Sequence, residues 1–142
     1  LEAAAVERFA RRASPEQVRR LRAAVEEMER VAAAGGEDVR DVLRANDEFY
    51  EVLLEGAGNR AFRTLLSGVQ ARVRALRASS LSQPGRPAAA ARELRGIVEA
   101  IEAGDVATAI ARTHEHLELA ERTGLDAIAA AGRSEFAEVP AG

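Results

Sequence analysis

Apolar residues along this chain return every three or four positions, the spacing that lines one face of an α-helix, and the polar residues between such stretches are of the kind that start and stop helices. In Ser14-Pro15-Glu16-Gln17, Ser14 is placed to cap, Pro15 to take the first helical position and Gln17 to complete a capping box. A helix from about Pro15 to Ala34 is predicted behind it, with Val18, Leu21, Val25, Met28 and Val31/Ala32 on one face and Gly35-Gly36 at its end. The residues before Ser14, with Leu1, Ala4/Ala5 and Phe9 at similar spacing, read as the C-terminal part of another helix. A third helix runs from Glu37 to Glu55 through Val39, Val42/Leu43, Phe49 and Leu53 and stops at Gly56-Ala57-Gly58.

Asn59 caps a fourth, whose stripe is Phe62, Leu65/Leu66, Val69, Val73 and Leu76. Ser79 to Pro87 reads as the one long loop, followed by a helix from about Ala88 to Ala103 with Leu94, Ile97/Val98 and Ile101. Gly104 closes that helix, and Asp105 caps a last long one carrying Val106, Ile110, Leu117, Ala120 and Ile128. Residues 1–131 form the expected domain, and 132–142, without periodicity, the expected frayed tail. No run alternates apolar and polar, and no repeat of 30 to 45 residues is visible. Short connections predict an all-α fold in which successive helices pack as an antiparallel bundle.

Composition sharpens this picture. Of 142 residues 47% are hydrophobic but only 4% aromatic, so the core is expected to consist of small aliphatic side chains between closely spaced helices. The 20 basic residues, all arginine, are outnumbered by 23 acidic ones, giving a formal charge of -3, which is not the basic excess of a surface that neutralises phosphates. Without cysteine there is no disulfide, thiolate metal site or Cys nucleophile. No apolar run approaches the roughly 18 residues that cross a bilayer, and a cytoplasmic location without membrane partners is expected. The chain opens Leu1-Glu2-Ala3-Ala4-Ala5, already in helix-forming sequence and without Met, so a natural start upstream is expected.

Enzyme signatures are lacking: there is no Gly-x-Ser-x-Gly, no phosphate loop and no His-Glu-x-x-His, and neither His114 nor His116 follows a glutamate at the spacing of di-iron bundles. No catalytic constellation is assigned. Asn46-Asp47-Glu48-Phe49-Tyr50, followed by Gly56-Ala57-Gly58-Asn59, Gly104-Asp105 and His116-Leu117, resembles in order and spacing the FCD domain, the C-terminal effector-binding domain of the FadR subfamily of GntR-type transcription regulators. Leu1-Glu2, Ser14-Pro15-Glu16 and Leu81-Ser82-Gln83-Pro84-Gly85-Arg86 extend the resemblance over about residues 1–131.

That resemblance implies a bundle of six or seven helices around a central ligand cavity. Many members hold a divalent metal there, at positions that map onto Asn46, Tyr50, Leu94 and His116. Asn46 and Tyr50, four apart, share a helix face, but an amide, a neutral phenol and a leucine leave one imidazole as a good ligand. No metal or other cofactor is therefore expected; these side chains suit a small organic effector held by hydrogen bonds and packing. Effectors in the family are typically small carboxylates, and Arg72, three after Val69 and four before Leu76, is the candidate cation. His114 reads as surface or interface, and Asp47 and Glu48 as a solvated face.

The expected function is ligand sensing and homodimerisation in a transcription regulator, with DNA contacted only through an upstream winged helix-turn-helix domain outside this chain. Two other readings stand beside it: a structural helical interaction module without a ligand, and a metal-dependent sensor. A cavity among Asn46, Tyr50, Arg72, Leu94 and His116 separates the first from the structural reading.

Overall fold

The computed structural model of the chain describes residues 2–35 and 38–137, with the backbone only at 62, 66–71 and 136–137. Among the described residues it is a bundle of six helices: α1 (Glu2–Arg12), α2 (Pro15–Ala33), α3 (Val39–Ala57), α4 (Arg60–Leu81), α5 (Arg86–Glu102) and α6 (Val106–Ala137). The punctuation works as its chemistry predicts. Ser14 Oγ accepts the Gln17 N–H, and the Gln17 side chain accepts the Ser14 N–H in return. Asn59 caps α4 by accepting the Ala61 N–H, and Asp105 accepts the Thr108 N–H at the start of α6.

Ion pairs and close contacts fix the helix directions. Arg22 and Glu29 of α2 pair with Glu102 and Arg95 of α5, in opposite order along the two helices. Arg20 and Met28 of α2 meet Glu55 and Asn46 of α3 in the same reversed sense. Glu93 and Gly96 of α5 face His116 and Arg112 of α6, while Leu76 and Ser80 of α4 face Gly124 and Thr123. These neighbours are antiparallel. The core between them contains Phe9, Leu21, Met28, Phe49, Leu53, Leu94 and Ile97, all buried. Among the described side chains of α4, Leu81 belongs to the buried apolar cluster.

Several boundaries and faces differ from expectation. The loop predicted over Ser79–Pro87 shrinks to residues 82–85, because Arg86 and Pro87 already form the first turn of α5; proline fits there, having no N–H to leave unpaired. Helix α3 continues through Gly56 to Ala57 and ends at Gly58, whose φ of 66° is left-handed. Gly56 stays helical because α1 crosses there: a Cβ on it would stand 2.3 Å from the Phe9 ring. Helix α6 continues past residue 131 to Ala137, and the rest of the expected tail lies outside the described residues. Glu37 and Gly36 also lie outside them; α3 starts at Val39, capped by Asp38.

The stripe predicted for α6 is rotated. Ala109, Thr113, His116 and Gly124 face the interior, whereas Ile128 is 50% exposed and Leu125 53%. Small residues let α6 lie close to α4 and α5, with Leu117 half-buried between them and Leu125 and Ile128 left outside. On α4, Leu65 is likewise exposed; the side chains of Phe62, Leu66 and Val69 lie outside the described residues.

Candidate functional site

Two residues one turn apart on α3, Asn46 and Tyr50, turn their side chains inward where α1, α4, α5 and α6 converge. The Tyr50 hydroxyl lies 3.3 Å from His116 Nε2 of α6, and His116 Nδ1 lies 2.6 Å from Glu93 Oε2 of α5. Both terminal nitrogens of Arg86 donate to Glu93, at 2.6 and 2.8 Å. The result is a chain Arg86–Glu93–His116–Tyr50 tying three helices together. An ionised Glu93 only accepts, which puts a proton on Nδ1; Nε2 accepts from the Tyr50 hydroxyl when it carries no proton and donates to it when it does.

Burial, taken alone, would raise the Glu93 pKa. The hydrogen bonds from His116 and Arg86, with their charges, outweigh it and hold the carboxyl down at about 2. Tyr50 shifts the other way: burial first, and then the Glu2 carboxylate, push the phenol above its ordinary value against the opposing Arg77, so it stays a neutral donor at pH 7. The Arg77 guanidinium lies 3.8 Å above the centre of the Tyr50 ring, and Phe49 meets the same ring edge-on at 5.3 Å. Arg77 Nη2 also donates to Glu2 Oε1 at 2.6 Å, across to α1.

These groups line a cavity of about 220 Å³. Its polar lining consists of Glu2, Asn46, Tyr50, Arg77, Ser80, Arg86, His116 and Glu121; its apolar wall includes Val73, Leu76, Leu81, Ala90 and Leu117. Among the described residues, the buried side-chain atoms left without a hydrogen-bond partner are Glu2 Oε2, Asn46 Oδ1 and Arg86 Nε. All three belong to residues that line this cavity. Buried polar atoms are nearly always paired, since leaving one unpaired costs about 1–3 kcal/mol. Two of these atoms accept and one donates.

A comparison with protein families matches the chain to the FCD domain over residues 1–119. The chain belongs to the FCD domain family. No curated protein matches it. FCD domains are the effector-sensing, regulatory domains of GntR-family transcription regulators. Among the described residues of this FCD domain, no helix is long and apolar enough to cross a membrane.

Of the residues singled out from sequence, Asn46, Tyr50 and His116 meet at the cavity of the FCD domain. Leu94 does not line it: the side chain is fully buried in the apolar core one turn of α5 further along. Arg72 is exposed. The face of α4 that lines the cavity runs through Val73, Leu76, Arg77, Ser80 and Leu81, so Arg77 and not Arg72 is the α4 arginine among the described lining residues. His114 is exposed, as is Glu48, while Asp47 is half-buried and pairs with Arg74. Sequence reasoning missed Glu2, Arg77, Glu93 and Arg86. Arg77 follows Val73 by four, a signal at helical spacing; Arg86 and Glu93, two turns apart, could be read as a pair only once α5 was known to start at Arg86.

The positions that the family resemblance assigns to a metal do not suit an ion in this FCD domain. Leu94 has no donor atom, and both ring nitrogens of His116 are engaged, by Glu93 and Tyr50. A cation would find too few ligands there.

Proposed function

We propose that this FCD domain is the ligand-sensing and dimerisation domain of a GntR/FadR-type transcription regulator, and that it binds a small organic carboxylate in the α3–α4–α6 cavity without a metal. The observation that carries the reading is the single cavity at which Asn46, Tyr50, Arg77, Arg86 and His116 meet; of the unpaired atoms around it only Arg86 Nε can donate to a carboxylate, while Asn46 Oδ1 accepts and would take a donor elsewhere on the same molecule. At about 220 Å³ the space lies below the roughly 300–1,000 Å³ of sites for drug-sized ligands, which favours a compact metabolite. Asn46, Tyr50 and His116 would orient it, Arg77 would face the carboxylate, and the aliphatic wall would take its body. A solidly packed interior would have favoured a purely structural module.

Occupancy would favour one arrangement of the bundle, by no more than the difference in the ligand's affinity for the two arrangements. The readout would pass to an upstream DNA-binding domain, in the cytoplasm, through a homodimer reading two half-sites. Leu125 and Ile128, three apart and about half exposed on α6, are the apolar residues offered to a second copy, the commonest partner in symmetric assemblies.

A thermal-shift screen of organic acids, sugar acids, amino acids and lipophilic metabolites tests the ligand reading. A true ligand raises Tm of the parent by mass action and raises it less in Tyr50→Phe and Arg77→Met, while Arg72→Ala responds like the parent. A carboxylate that stabilises Arg77→Met as much as the parent would show that the anion site lies elsewhere.

A further inference from the structure

The cavity already contains a carboxylate. Glu2, in the first described turn of α1, reaches across to Arg77 with Oε1, and the side chains of the two residues are only 13% and 19% exposed. Its second oxygen, Oε2, is buried and accepts nothing. The pair is therefore lopsided: one oxygen is satisfied, and the other has lost water with no hydrogen bond in exchange. Of the five N–H donors of the guanidinium, this contact engages one terminal nitrogen. By contrast Arg86, the other buried cation in this lining, gives both terminal nitrogens to Glu93 and has only Nε to offer.

Glu2, Tyr50, Val73 and Arg77 also line a second, smaller cavity of about 130 Å³ on their other side. The Glu2–Arg77 contact is thus part of the partition between two spaces.

We propose that the ligand's carboxylate takes the place of the Glu2 carboxylate on Arg77, so that Glu2 is a built-in competitor and its release from α1 to solvent is the first structural consequence of binding. The inference rests on the carboxylate reading given above. It makes the site weak by construction, because every binding event must break an internal ion pair. It also couples the cavity to α1, whose next turns hold Ala5, Val6 and Phe9 in the core against α3. A ligand with the same body but no charge gains nothing from the exchange.

The test uses cyclohexanecarboxylate and its uncharged counterpart cyclohexanecarboxamide, titrated by calorimetry into the parent, Glu2→Gln, Glu2→Ala and Arg77→Met. Removing the competitor should tighten binding of the acid at least tenfold in both Glu2 variants, leave the amide unchanged, and be undone by Arg77→Met. Deuterium uptake in the first two turns of α1 should rise when the acid binds the parent, and change less in Glu2→Ala. Equal affinity for the acid in the parent and both Glu2 variants, or uptake in the parent that stays level or falls, would overturn the displacement while leaving the cavity as a ligand site. No binding of the acid to the parent or to either Glu2 variant would overturn the displacement and count against the carboxylate reading as well.

Discussion

Glu93 carries more of the site than its partial exposure suggests, because both the buried Arg86 and His116 pair with it. Glu93→Gln keeps the shape but leaves the guanidinium, 7% exposed, without a countercharge. Breaking one side of such a buried pair costs about 3 kcal/mol, or roughly 10 °C in Tm for a domain of this size. The effect depends on pH with a definite sign. A carboxyl held at about 2 in the folded state, against an ordinary 4.5, contributes stability that is fully present above about 4.5 and is lost as pH falls toward about 2. The Tm gap between parent and Glu93→Gln is therefore expected to be widest above pH 4.5 and to narrow below it. A gap that stays constant down to the acid limit would mean that Glu93 acts through packing and not through its charge.

At the level of helices, the wall between α4 and α6 depends on a residue without a side chain. A Cβ on Gly124 would lie 2.7 Å from Leu76 Cδ1 and 2.8 Å from the Leu76 carbonyl oxygen, and the latter cannot move aside by changing rotamer. Gly124→Ala would gain up to about 1 kcal/mol of helix propensity, yet overpacking of about 1–3 kcal/mol opposes it. Lower Tm is expected, whereas Gly132→Ala, with nothing within 4 Å of its Cβ, should raise Tm. Equal stabilisation by both would show that α4 and α6 are not in close contact.

The same geometry explains which parts of the fold could be read from sequence. Caps and terminal glycines are local chemistry, and Ser14, Asn59, Asp105 and Gly58 marked their boundaries correctly. Helical faces in an alanine-rich chain are harder to read, because Ala109, Thr113 and Gly124 turn inward while Leu125 and Ile128 do not. Spacing alone brought Asn46 beside Tyr50, and the family resemblance added His116. Choosing between Arg72 and Arg77 required knowing that Glu2 stands opposite, a contact 75 residues apart in sequence.

For the molecule as a whole, the outer face of α6 bears on assembly. If Leu125 and Ile128 pack against a second copy, the double substitution Leu125→Glu, Ile128→Glu should convert a dimer into a folded monomer, as sedimentation velocity would record. A double variant that stays dimeric places the contact on another face. One consequence of the composition reaches back to the cavity. The 142 residues include a single tyrosine and no tryptophan, and that tyrosine lies beneath Arg77 and beside His116. Tyrosine emission from this chain therefore comes from one ring at the proposed binding site, so that occupancy can be followed optically without attaching a dye.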